Sequence, residues 1–60
     1  MQKWAYLSIT LNQNGLVEQG PRLGARLEDA ASDLGAQGWE LVLCFPLPNA
    51  RFQILFKRPI

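Results

Sequence analysis

The chain has no histidine and a single cysteine, Cys44. Those two shortages remove most of the devices by which a small domain stiffens itself. One thiol cannot close a disulfide within the chain, and one thiol without imidazoles cannot furnish a tetrahedral zinc site. No metal and no cofactor are expected. The lack of histidine also removes the commonest general base. No serine lies beside a base, no carboxylates are paired at a useful spacing, and no phosphate-cradling glycine loop follows a strand. The segment Gly20-Pro21-Arg22-Leu23-Gly24 has neither the position nor the spacing of a dinucleotide fingerprint. The residues therefore read as those of a protein that is not an enzyme.

Charge of one sign is also missing. Six Lys and Arg face five Asp and Glu, a formal net charge of +1, far from the basic footprint of a dedicated nucleic-acid binder. No apolar run approaches the roughly 20 residues that a membrane span requires. Met1-Gln2-Lys3-Trp4 leads into an alternating segment with no continuous apolar stretch, so no signal peptide is expected. With a lone thiol, this points to a cytoplasmic location and no membrane partner.

What is present is apolar surface. Hydrophobic residues make up 48% of 60 positions, enough for one small domain over residues 1–60. A domain of this size buries only about 60% of the surface of its unfolded chain and is marginal without a staple. Self-association is the staple left open.

Residues 3–11 alternate, with Trp4, Tyr6, Ser8 and Thr10 on one face and the aliphatic Ala5, Leu7, Ile9 and Leu11 on the other, which predicts a strand. Residues 12–20 read as a polar loop. Gly20-Pro21 reads as a helix start, followed by a stripe of Leu23, Leu27, Ala30, Ala31 and Leu34. Arg22 and Arg26 stand within reach of helix acids. Gly38 is the favoured helix stop, because a left-handed terminal residue is adopted without steric penalty only by glycine. Residues 39–45 form a nearly continuous apolar strand. Pro46 to Ala50 are a hairpin connection, and Arg51 to Arg58 a last strand ended by Pro59.

The expected fold is α+β, in the order β-α-β-β: a three-stranded, mainly antiparallel sheet with one helix packed on one face. A turn at Leu47–Asn49 would set Cys44 against Phe52, Val42 against Ile54 and Glu40 against Phe56. The helix would then cover Val42, Cys44, Phe52, Ile54 and Phe56, with Leu7 and Ile9. Trp39, Leu41, Leu43, Phe45 and Leu55, with Trp4 and Tyr6, would form a second apolar face interspersed with Arg51, Gln53 and Lys57. One helix cannot cover both faces. An uncovered apolar patch above about 400 Å² marks an interface.

Lys3-Trp4-x-Tyr6 at the start, Leu34-Gly35-Ala36-x-Gly38-Trp39-Glu40-Leu41-Val42 in the middle and Phe56-Lys57-Arg58-Pro59 at the end resemble the bacterial and phage family called domain of unknown function 4177. The resemblance spans nearly the whole chain. It implies a compact β-α-β-β fold and no activity. Charged residues often fill the family's positions of Ala5 and Leu7, and their apolar replacement here implies extra burial of the first strand.

The function expected from these observations is a non-enzymatic, homo-oligomeric interaction or ligand-binding module. Its partner is itself, as a dimer or larger, with a further protein or a small ligand at the subunit junction. The contact would use the second sheet face or a strand edge, through Trp4, Tyr6, Trp39, Leu41, Leu43, Phe45, Arg51, Leu55, Lys57 and Arg58. The alternative is single-stranded nucleic-acid or nucleotide binding, with bases stacked on the aromatics and phosphates held by the basic residues; near-neutral charge weighs against it. Simpler readings stand beside the sharper ones. Cys44 reads as a small buried hydrophobe rather than a nucleophile, Glu40 as a structural carboxylate that could pair with Arg58, and Trp4 and Trp39 as packing anchors.

Overall fold

The structure is a computed structural model covering residues 1–60. Its elements are β1 (Trp4–Leu11), β2 (Val17–Gln19), α1 (Leu27–Ala36), β3 (Glu40–Leu47) and β4 (Arg51–Pro59). The α+β class holds, but the sheet has four strands in the order β2-β1-β4-β3, and all neighbours are antiparallel.

The additional strand arises inside the segment read as a loop. Asn12 organises a tight reversal: its side-chain oxygen accepts from Asn14 N–H at 2.9 Å and Leu16 N–H at 3.1 Å, as asparagine does in turns. The chain returns along β1 with Val17 opposite Leu11. Only three residues form β2, too few for a periodicity signal.

The same pairing corrects the helix start, which lies at Leu27 rather than at Gly20-Pro21. Residues 20–25 cannot be helical, because Gly20, Arg22 and Gly24 have φ of 111°, 63° and 85°. Instead the segment folds against β2. Val17 N–H donates to Ala25 C=O and Gly24 N–H donates to Val17 C=O, both at 2.8 Å, and Leu16 bridges Arg26. The backbone bonds that a longer helix would need are thus spent along the sheet. Leu23, expected in the helix stripe, is 71% exposed, and Arg22 pairs at 2.7 Å with Asp33 rather than with an acid within one turn.

The helix stop follows the reading at Gly38. Trp39 N–H donates to Leu34 C=O and Gly38 N–H to Gly35 C=O, both at 3.0 Å, with Gly38 at φ 90°. This is the paired bonding of a left-handed glycine terminus, in which Trp39 folds back toward Leu34. Both side chains join the core.

That core consists of Ile9, Leu11, Val17, Ala30, Leu34, Ile54 and Phe56, with Leu7, Leu27, Ala31 and Trp39 packed around it. The helix covers the predicted face of β1 and β4: Leu7 lies opposite Phe56 and Ile9 opposite Ile54. Ala5 and Leu7 are therefore on the core face and half-buried within the chain itself, Leu7 against the core cluster, so their apolar character requires no outside partner.

The β3–β4 register departs from expectation by two residues near the turn and by one at Glu40, which lies opposite Lys57. Cys44 lies opposite Ile54, Pro46 opposite Phe52 and Leu47 opposite Arg51. The reversal occupies Pro48–Ala50, with Asn49 and Ala50 at φ 66° and 58°. Pro46 remains inside the strand, which is possible because β3 is an edge strand and its neighbour need not receive an N–H there.

Candidate functional site

The apolar excess is concentrated on β3, where it was expected, but in a different arrangement. Every residue of this strand from Glu40 to Pro46 is exposed. Leu41, Val42, Leu43 and Phe45 retain 51%, 40%, 42% and 40% of their full accessibility, and Phe52 across the hairpin 42%. The helix lies over the other half of the sheet. The β3–β4 hairpin therefore carries apolar side chains on both faces and an unpaired backbone along its outer side.

An irregularity between Leu41 and Leu43 sorts these residues. On the turn side, Leu43 faces Leu55 and Phe45 faces Gln53; on the other side, Leu41 faces Phe56 and Glu40 faces Lys57. Val42 is the inserted residue of a bulge, which exchanges the faces of what precedes it. Leu41 consequently belongs to the helix-side face, with Cys44, Pro46 and Phe52, and not to the outer face with Leu43 and Phe45. Cys44, read as buried, is exposed: the buried core includes Ile54 opposite it but no residue of β3.

On the outer face the structure brings together Trp4, Tyr6, Leu43, Phe45, Leu55 and Lys57, with Arg51 near the hairpin turn. No element lies over them. Tyr6 is 62% exposed, and Gln53 Nε2 donates to Ser8 Oγ at 3.2 Å across the strip. Trp39 and Arg58 lie elsewhere. Arg58 is opposite Ala5, on the helix side, where its guanidinium stacks 4.5 Å from the centre of the Trp39 ring and donates to Gln37 C=O at 2.9 Å. It thereby caps the helix terminus and leaves Glu40 without the ion pair suggested for it. Val42 and Phe52, expected under the helix, are exposed as well.

The basic and aromatic residues do not form one stripe. Lys57 Nζ sits 4.1 Å from the centre of the Trp4 ring, so each tryptophan has one face occupied by a cation of its own chain. Arg51 is held by Glu18 at 3.1 Å near the hairpin turn. Lys57 and Arg58 are on β4, an interior strand, so neither guards a sheet edge.

Two surface depressions are present. A polar one of about 260 Å³ is lined by Asn12, Gln13, Asn14, Glu18, Asn49 and Arg51. A second, about 580 Å³ and widely open, lies near the helix start between Leu11, Leu16, Leu27 and Arg26. Neither contains the convergent polar groups over an apolar lining that small-ligand sites show. No helix is long and apolar enough to cross a membrane.

No family model, curated protein or solved structure matches the chain. The resemblance to domain of unknown function 4177 is carried by the quoted residues alone.

Proposed function

We propose that this chain is a non-enzymatic interaction module that assembles with copies of itself through the β3–β4 hairpin. The observation that carries this reading is the exposure of Leu41, Val42, Leu43 and Phe45 on a single edge strand. Monomers of this mass expose roughly 4,000 Å², and this chain exposes 4157 Å². The extent of its surface is ordinary; the concentration of apolar groups at one edge is not. Leu43 and Phe45 are exposed on the outer face and Leu41 and Phe52 on the helix-side face, so the apolar surface is gathered at one edge of the sheet and divided between its two faces. Between the bulge at Val42 and Pro46 the unpaired backbone of β3 offers an edge to a further strand.

Sedimentation velocity at micromolar concentration tests the reading. The wild type sediments as a dimer or larger, and Leu43→Lys sediments as a folded monomer, because a lysine at a 42% exposed position is tolerated by the single chain but not by a desolvated contact. A wild type that remains monomeric across that range overturns the reading.

A further inference from the structure

We infer that the partner on β3 is a second copy, paired antiparallel along the strand edge with the two-fold axis at Cys44, so that two four-stranded sheets become one. This rests on self-association through the hairpin and adds its register. The free edge is interrupted twice, by the bulge at Val42 and by Pro46. Between them lies the only regular stretch, and Cys44 is its centre. Residues along a strand alternately turn their backbone groups toward one neighbour and the other. Pro46 lacks an N–H and is placed to advantage with its nitrogen outward. Cys44, two residues earlier, then also turns its N–H and C=O toward the open edge.

Pairing about Cys44 places Leu43 against Phe45 of the second copy and Phe45 against its Leu43. Both are outer-face residues, so the faces of the joined sheet match. Val42 falls opposite Pro46 of the second copy, where the missing N–H of one strand meets the bulge of the other. A shift of one residue would oppose outer-face and helix-side chains and lose this match. The contact is thus isologous, as a two-fold requires.

Charge fits the same arrangement. No charged residue occurs from Leu41 to Ala50, so the axis brings no like charges together. Each Glu40 falls opposite Pro48 of the second copy, at the hairpin end that carries Arg51. The two Glu40 Cα atoms stand roughly 26 Å apart at ~3.3 Å per residue, well beyond a physiological Debye length of about 8 Å. The pairing sets the flanks of Leu43 and Phe45 of one copy against Phe45 and Leu43 of the other on the outer face, and adds the backbone strip between the bulge and Pro46.

Cross-linking tests the register. Across a hydrogen-bonded antiparallel pair the two Cys44 Cα atoms would lie about 5.5 Å apart, within reach of a short bismaleimide. At about 10 μM, the folded chain should link through Cys44 roughly 100-fold faster than the urea-unfolded chain, reflecting millimolar effective thiol concentration against the bulk value. In a Cys44→Ser background, Asn49→Cys should not link above the unfolded rate, since the register holds its two copies at opposite ends of the seam. Fast linking at Cys44 with slow linking at Asn49→Cys supports the proposal. Equal linking at both positions, or a sedimenting dimer without accelerated linking at Cys44, overturns the register while leaving self-association standing. A monomer in sedimentation overturns both.

Discussion

At the β2 edge of the sheet, Val17 is bonded on its outer side to Gly24 and Ala25, both at 2.8 Å, and its side chain is 2% exposed. At the β3 edge, eight residues from Glu40 to Leu47 run with no segment beyond them, and Leu41 is 51% exposed. The sheet is closed on one side by seven residues of irregular chain and left open on the other. The difference comes from where the chain spends its connections. The β2–α1 link loops outward through Gly20, Arg22 and Gly24 in left-handed conformations and returns along the edge it has just made. The α1–β3 link is Gln37-Gly38-Trp39, too short to wrap anything. A chain of this length builds one cover, and the helix and link use it on the same half.

The sharpest way to break the comparison is to delete the same side chain in each half. Phe56 is 1% exposed and Phe45 is 40% exposed. Phe56→Ala should lower unfolding stability by about 3–5 kcal/mol, enough to unfold much of a marginal domain. Phe45→Ala should cost well under half of that in dilute urea titrations, and show its effect in sedimentation instead. Equal losses of stability would mean that β3 is as covered as β4.

Gly20 probes how the closed edge is held. A Cβ there would approach Ile9 Cγ2 to 2.9 Å and Ser8 O to 3.2 Å, and its φ is 111°. Gly20→Ala should therefore cost about 1–3 kcal/mol, read from thermal unfolding, through backbone strain and crowding against a core residue. Gly15, in the neighbouring reversal, has nothing within 4 Å of its Cβ position. Gly15→Ala should cost less, about 1 kcal/mol, from its positive φ alone.

Much of this architecture is legible in the residues. The alternation of Ala5, Leu7, Ile9 and Leu11 identified the core face, and Gly38 identified the helix end, because both rest on local geometry that one side chain or its absence decides. The helix start was not legible. Pro21 and the spacing of Leu23 to Leu27 satisfy a helix pattern, and only the sheet-edge bonds of Gly24 and Ala25 to Val17 override it. The bulge at Val42 left no trace in a run where every residue is apolar. It moved Leu41 to the other face and so divided the expected patch. Of the anticipated site residues, Leu43, Phe45, Leu55, Trp4, Tyr6 and Lys57 share a surface; Trp39 and Arg58 form a stacked pair at the helix end.

The smallest effects separate that stacked pair from the interface. Arg58→Ala removes a cation–π contact and a hydrogen bond to Gln37, and should cost about 1 kcal/mol of stability by chemical denaturation without changing sedimentation. Arg22→Ala breaks an ion pair between side chains 50% and 47% exposed, and should change stability by less than about 1 kcal/mol. A loss of assembly in Arg58→Ala would place the contact at the helix end instead of β3.

The two edges can be compared directly by amide hydrogen exchange over a dilution series. The Val17 N–H, bonded within the chain, should be protected at every concentration. The Cys44 N–H should be protected at concentrations where the protein assembles and exchange freely once it is diluted to monomer. A Cys44 amide that exchanges freely in the assembled protein, while Val17 stays protected, would contradict closure of the β3 edge by a second copy.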